Sequence, residues 1–588
     1  MNSPQTLMQA LLDQAGRASA EQAQSIVQSL ATEQRIRDTT LLDALTAALA
    51  QDSEQLNEIQ QRYYRQHLEL WKRVIARADQ GAAAAPVIAP EKTDRRFQSP
   101  EWNELPFFDY LKQAYLLNSR WLGEMVEAAA LDAPAKHRLR FFTRQWLDAV
   151  APANFPATNP EVLKLAQQTG GESLLRGIEN LNADLKKGRI TMTDEAAFEV
   201  GRNLAVTPGA VVFENDLMQL IQYAPLTETV HEKPLLIVPP CINKYYILDL
   251  QPDNSFVRYA VAQGHTVFMV SWRNVPQEMG RVTWDEYLER GVIRAIDAVL
   301  EICGSGQLNA LGFCIGGTLL APALAVLRAR EREPAASLTL LTAMLDFSDV
   351  GDLAVFVDEN YVTKREQDFA AGGVLNGREL GLTFSSLRAN ELIWNYVVNN
   401  YLKGQQPEPF DLLYWNSDST NLPGAMYVYY LRNTYLENNL RVPGRLTMCG
   451  VPIDLDTVAA PAYVLAARED HIVPWKTAYQ STQLLGGQCE FVLTASGHIA
   501  GVVNPAAKNK RHYWLNTDLP ADADAWFAAA AQRPGSWWSH WSGWLAPFGG
   551  MQVPARPPGG AKYPAIEPAP GRYVKERIQD TGFGIQSD

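Results

Sequence analysis

The chain has 588 residues, 47% of them hydrophobic, and a formal net charge of −13 from 52 Lys and Arg against 65 Asp and Glu. That length accommodates more than one domain and a large core, while the acidic balance excludes an extended nucleic-acid surface, which would have to be basic. Five cysteines, at 241, 303, 314, 449 and 489, show no paired zinc or redox spacing and fit a reduced cytoplasmic compartment. The sequence predicts neither a secretory signal nor a transmembrane segment, because no run reaches the about 18 uninterrupted apolar residues that a span needs.

Residues 1–80 place apolar side chains three and four apart, as in "LNEIQQRYYRQHLELWKRVIARA", which predicts a variable amphipathic helical segment. The Ala- and Pro-rich "GAAAAPVIAPEKT" at 81–93 predicts a linker. Helical patterning resumes over 94–200, predicting an α-helical N-terminal domain. From about 209 the character changes: "GAVVFEN" and "MQLIQYAP" read as a strand pair, then "PLLIVPP", "TVFMVSW", "QLNALGF", "LTLLTAML", "AYVLAA" and "EFVLTAS" as buried strands mostly separated by helices. Apolar strands alternating with helices predict an α/β domain over 201–588 with a mainly parallel sheet covered on both faces. Active sites of such sheets gather at the C-terminal strand ends.

One of those strand ends carries "GFCIGG". This is the GxSxG elbow with sulfur in place of oxygen, a strand-to-helix turn in which glycines two residues to either side remove clashing side chains. Gly312 and Gly316 occupy those positions around Cys314. A helix starting near Gly317 would aim its first N–H groups at the sulfur and favour the thiolate.

An activated cysteine needs a base, and the base needs an orienting partner. Asp470 follows one strand in "YVLAAREDHIVP" and His498 follows the next in "FVLTASGHIAGV", so nucleophile, acid and histidine come in the order found in α/β-hydrolases. His471, the rival base, adjoins Asp470 and points the other way in extended chain. Asp346 in "LTAMLDF" is the rival acid; otherwise it caps the connection that follows it. The backbone N–H of Ile315 is one oxyanion donor by elbow geometry. In "VPPCINKYYI", Pro239 and Pro240 have no N–H, which leaves Cys241 as the first available second donor.

Over a hundred residues separate Asp346 from Asp470, more than a connection needs, and predict a cap insertion at about 347–455. Its Trp and Tyr content suits a cover that excludes water. Trp415 is a candidate substrate contact there, and Arg388 is either a CoA phosphate partner or a surface ion pair. In "GSWWSHWSGWLAPF", Trp537, Trp541 and Trp544 fall at helical spacing, for packing rather than for contact with polymer.

From "DRRFQSPEW" at 94 to "IEPAPGRYVK" at 566–575, by way of "PANFPATNPEV", "VPPCINKYYILDLQP", "GFCIGG", "FDLLYWNSDSTNLPG", "REDHIVPW" and "SGHIAGVVNPAAKNKR", the chain resembles class I polyhydroxyalkanoate synthases. Those enzymes polymerise 3-hydroxyacyl-CoA thioesters. The resemblance implies a triad of Cys314, His498 and Asp470 in an α/β-hydrolase catalytic domain, preceded by a helical domain. It further implies a homodimer resident on cytoplasmic polymer granules, with hydroxyacyl-CoA and the growing polyester as partners and short monomers such as 3-hydroxybutyryl. The CoA thioester is substrate, and neither cofactor nor metal is expected. Two alternatives stand beside it: a thiol hydrolase of the dienelactone hydrolase type, which shares the elbow but is much shorter, and a catalytically silent granule scaffold.

Overall fold

The computed structural model describes residues 54–80 and 85–578. The expected helix over residues 1–53 and the first four residues of the expected linker lie outside them. The described residues divide into two compact units, one comprising those up to Asp194 together with Leu382–Glu408, the other Glu195–Gly381 and those from Pro409 to 578.

The first unit is helical, with α1 (Glu54–Gln80), α2 (Pro106–Ala128), α3 (Ala133–Ala149), α4 (Pro160–Gln168) and α5 (Glu172–Lys187) as its main elements. Local chemistry sets their ends. Asp132 caps α3 by accepting from the Ala135 N–H at 2.8 Å, and Asn159 caps α4 by accepting from Glu161 and Val162, with Pro160 in the first helical position. Phe97, Trp102 and Tyr115 form a small core. The Leu382–Glu408 segment packs on α5, where the Tyr401 hydroxyl donates to Asp184 at 2.7 Å, and it reaches α4 through a Lys403–Glu161 ion pair at 2.7 Å.

The second unit is built on an 11-stranded sheet. Its strands are β1 (Gly209–Glu214), β2 (Met218–Tyr223), β3 (Leu235–Val238), β4 (Val267–Trp272), β5 (Leu308–Phe313), β6 (Ala335–Leu341), β7 (Ala462–Ala467), β8 (Cys489–Thr494), β9 (His512–Leu515), β10 (Ala531–Pro534) and β11 (Glu567–Pro568). The spatial order is β10-β9-β8-β7-β6-β5-β3-β4-β2-β1-β11. The strands from β8 through β4 pair in parallel, and antiparallel strands extend both edges. Every residue of β3, β4, β5 and β7 is buried, which is why they read as unbroken apolar runs instead of alternating ones. The register sets Gly312 opposite both Val238 and Leu340, so the C-terminal ends of the central strands share one edge of the sheet.

Helix α6 (Ile315–Ala329) leaves β5 immediately after Cys314, two residues earlier than the glycine pair suggested, because the cysteine itself makes the turn. Two later helices complete the frame, α7 (His498–Val502) after β8 and α8 (Trp537–Leu545) near the C-terminus. Trp537 and Trp541 are fully buried, and Trp544 packs at the margin of the same core. The Trp541 indole donates to Thr339 Oγ1 on β6 at 3.1 Å, while Trp537 and Trp538 donate to the Gly501 and Val502 carbonyls at 2.9 Å each, fastening α7 from behind. No helix among the described residues is long and apolar enough to cross a membrane.

Trp541→Ala removes a fully buried indole and leaves the Thr339 hydroxyl without it, so we expect a loss of about 3–5 kcal/mol. Urea unfolding followed by circular dichroism reads this as a lower midpoint; an unchanged midpoint would place the indole outside the core.

Candidate active site

Cys314 closes β5 with φ 53° and ψ −130°, a left-handed backbone that few non-glycine residues adopt. Its N–H donates to the Leu341 carbonyl at 2.9 Å, tying the turn to β6. Glycines make the turn possible by close approach. A side-chain carbon at Gly312 would lie 2.7 Å from the Gly317 nitrogen, one at Gly316 2.6 Å from the Pro239 oxygen, and one at Gly317 2.6 Å from Ala343 Cβ. The cysteine thus stands at the head of α6, whose first N–H groups have no helical partner.

His498 opens α7 with its ring buried, 5.6 Å from the Phe313 ring and nearly parallel to it. Its Nδ1 lies 2.6 Å from Asp470 Oδ2. The other carboxylate oxygen accepts the Ile472 and Val473 N–H groups at 2.8 and 2.9 Å, so the acid is fixed on both sides. Burial pulls the His498 pKa down, but the Asp470 carboxylate, the Cys314 sulfur and hydrogen bonds to both outweigh it and raise the value to about 10. Three side chains from three strand ends therefore interact at one point of the sheet edge.

The competing residues are occupied differently. Asp346 is buried, but its oxygens bind the Ser348 N–H at 2.8 Å, Asn438 at 2.8 Å and Arg441 at 3.0 Å, which fixes the connection after β6. The Asp470 oxygen that its neighbour His471 would need is held by His498. Cys241 is buried in the loop after β3; burial pushes its thiol pKa well up, and the nearby Cys314 adds to the effect. Ile315, the first residue of α6, is buried beside the nucleophile.

The two candidate substrate contacts lie apart from this cluster in kind. Arg388 belongs to the helical unit, half exposed, and pairs with Glu391 at 3.4 Å. Trp415 is buried, and its indole donates to the Lys244 carbonyl at 2.7 Å. Sequence reasoning missed Tyr430 and Tyr435. Tyr430 is buried and Tyr435 partly buried; loss of water drives both hydroxyl pKa values up, and the nearby Cys314 adds to each. Their rings meet each other at 5.4 Å and Phe347 at 6.1 and 5.1 Å. Nothing in "GAMYVYYLRNTYL" separates these two tyrosines from the ordinary core of a helical insertion.

The profile of the Poly-beta-hydroxybutyrate polymerase (PhaC) N-terminus matches residues 93–260, and that of the alpha/beta hydrolase fold matches residues 234–505. The poly(3-hydroxyalkanoate) polymerase subunit PhaC of Cupriavidus necator is 54% identical over 543 residues, covering 91% of each chain. The chain belongs to the poly(3-hydroxyalkanoate) polymerase family. Other members include the polymerase of Methylorubrum extorquens, 44% identical over 91% of this chain and 89% of that one. The PhaC subunit of Rhizobium meliloti is 43% identical over 87% of this chain and 84% of that one. The fold accords with membership, since α/β-hydrolase topology is what the sheet order describes.

The elevated pKa of His498 has a definite sign. Its contribution to stability is complete below the unfolded value of about 6.5 and is lost as pH rises through about 10. The stability advantage of the wild type over Asp470→Asn should therefore be largest near neutral pH and below, and shrink toward pH 10. Urea titrations across this range test it; an advantage that grows with pH would detach His498 from Asp470.

Proposed function

We propose that the chain polymerises (R)-3-hydroxyacyl-CoA, with 3-hydroxybutyryl-CoA as the typical monomer, into polyhydroxyalkanoate with release of CoA, through a thioester on Cys314. The observation that carries this reading is the strained Cys314 turn beside the buried His498–Asp470 pair, in a member of the polymerase family. The family resemblance extends it to a homodimer working on cytoplasmic polymer granules.

In the first step the Cys314 sulfur, its proton held on His498, attacks the thioester carbonyl. The oxyanion falls between the Ile315 and Cys241 N–H groups, and CoA departs as a thiol carrying the proton from His498. One thioester replaces another, so the acyl-enzyme is neither a deep trap nor a steep climb, and the reaction draws on no cofactor. In the second step a 3-hydroxyl gives its proton to His498 and attacks the acyl carbon held on Cys314; the ester bond of the polymer forms as the carbon–sulfur bond breaks, leaving the Cys314 thiolate beside the protonated His498. Asp470 holds the imidazole by Nδ1 and stabilises its cation. Sulfur suits this work because an oxygen ester on a serine would be a poorer donor to the next alcohol.

Cys314→Ala should abolish both CoA release and polymer formation with the fold intact, since alanine fits the same turn. His498→Gln should lower CoA release by about 10²–10⁴, and His471→Gln should act more mildly and through stability. Thiol release and insoluble ester, measured together on variants checked by circular dichroism, decide the matter. Turnover retained by Cys314→Ala would remove the thioester from the mechanism, and reversed severity of the two histidine variants would reassign the base.

A further inference from the structure

The loop that carries the Cys241 N–H is held by contacts that the triad does not require. On one side of the Pro240–Cys241 peptide, the Pro239 carbonyl accepts the Trp272 indole N–H at 3.0 Å. On the other, the Cys241 carbonyl accepts the Thr420 hydroxyl at 2.6 Å, and the Ile242 carbonyl accepts the Thr420 N–H at 3.2 Å. Asn243 and Ser419 complete a short antiparallel bridge. The peptide presenting the N–H therefore has both neighbouring peptides pinned, and the partner segment comes from the insertion between β6 and β7.

This bridge ends in a buried ion pair. Lys244 and Asp418, with side chains 2% and 3% exposed, meet at 3.0 Å. Lys244 Nζ also donates to the Val574 and Glu576 carbonyls at 2.7 and 2.6 Å, and Tyr246 donates to the second Asp418 oxygen at 2.9 Å. Two charges taken out of water are a poor source of net stability, whereas their directional contacts fix geometry. Here they join the loop after β3, the insertion and the C-terminal segment at one point.

We propose that Lys244, Asp418 and Thr420 are positioning residues for acyl transfer, holding the Cys241 N–H where the oxyanion forms. The inference rests on the thioester reading above. Its test separates acylation, which passes through an oxyanion, from alkylation of the same sulfur by iodoacetamide, which does not. The variants are Thr420→Val and the double replacement Lys244→Met/Asp418→Leu, which removes the two buried charges together, while Arg577, 3.7 Å from Asp418, is half exposed and keeps its bond to the Tyr414 hydroxyl. Single-turnover acylation by 3-hydroxybutyryl-CoA should fall about 10²-fold in the double variant and about tenfold in Thr420→Val, on the scale of a displaced oxyanion donor. Alkylation of Cys314 should keep its wild-type rate in both. A variant that fails to fold is replaced by Lys244→Gln/Asp418→Asn, which also removes both charges but keeps polar groups in place, held to the same criterion. Acylation at the wild-type rate in any folded variant, or alkylation that falls in step with it, overturns the inference. Mass spectrometry of the wild type keeps the two readings distinct: an acyl group found on a residue other than Cys314 overturns the thioester reading itself, and this inference with it.

Discussion

The site depends on three close approaches around Cys314, without which its sulfur could not stand at the head of α6. Gly312 meets Gly317, Gly316 meets the Pro239 carbonyl, and Gly317 meets Ala343. A residue held at φ 53° costs of the order of 1–3 kcal/mol. The turn persists because the helix it launches is buried without interruption from Ile315 to Leu327, and a single buried leucine there contributes about 1.5–3 kcal/mol. The strain is thus offset within a turn or two of the residue that bears it. The same contact at Gly316 draws the loop after β3 against the elbow, so Cys314 and the Cys241 loop are placed by one constraint.

Asp470 and His498 are set by a different device. Asp470 sits just past β7 and His498 just past β8, and parallel pairing of those strands brings the two turns together. The carboxylate is satisfied on one oxygen by two backbone N–H groups and on the other by His498. Behind the histidine, the indoles of α8 hold the carbonyls at the end of α7. A buried carboxylate–imidazole pair loses several kcal/mol if one partner is removed, and the tryptophan helix prevents the equivalent loss by rotation of α7. The indoles are remote from the chemistry yet fix the angle at which it occurs.

Much of this was legible in the sequence, for reasons that can be named. The central strands announce themselves because burial on both faces demands continuous apolar runs, and the elbow does because its glycines are sterically obligatory. Asp470 and His498 were found because each ends a strand. The start of α6 was misplaced by two residues, since glycines mark where side chains cannot fit, and the helix boundary follows the backbone of Cys314 instead. The capture of Leu382–Glu408 by the helical unit was not readable, because it depends on the pairing of Tyr401 with Asp184, more than two hundred residues earlier. Tyr430, Tyr435 and the Lys244–Asp418 pair were equally silent: long-range partners leave no local period.

The insertion between β6 and β7 accordingly bears on the loops around Cys314. Its Asp418–Thr420 stretch braces the loop after β3, and its Tyr430 and Tyr435 stand within the electrostatic reach of the nucleophile. Those aromatic walls bear on the proposed chemistry, in which an acyl-sulfur bond must survive until an alcohol reaches it. Both water and a 3-hydroxyl can attack the thioester, and water is present at far higher concentration in bulk. Selection for the alcohol has to come from excluding water while keeping the oxyanion donors in place. On the proposed reading, exclusion and donor placement would both draw on this insertion, so a site that opened freely enough to admit water would also lose the fixed donor that makes attack fast. Coupling the two in a single segment would then tie the rate of acyl transfer to the dryness of the site, the condition that the proposed mechanism sets for a hydrolase frame to yield a polymer.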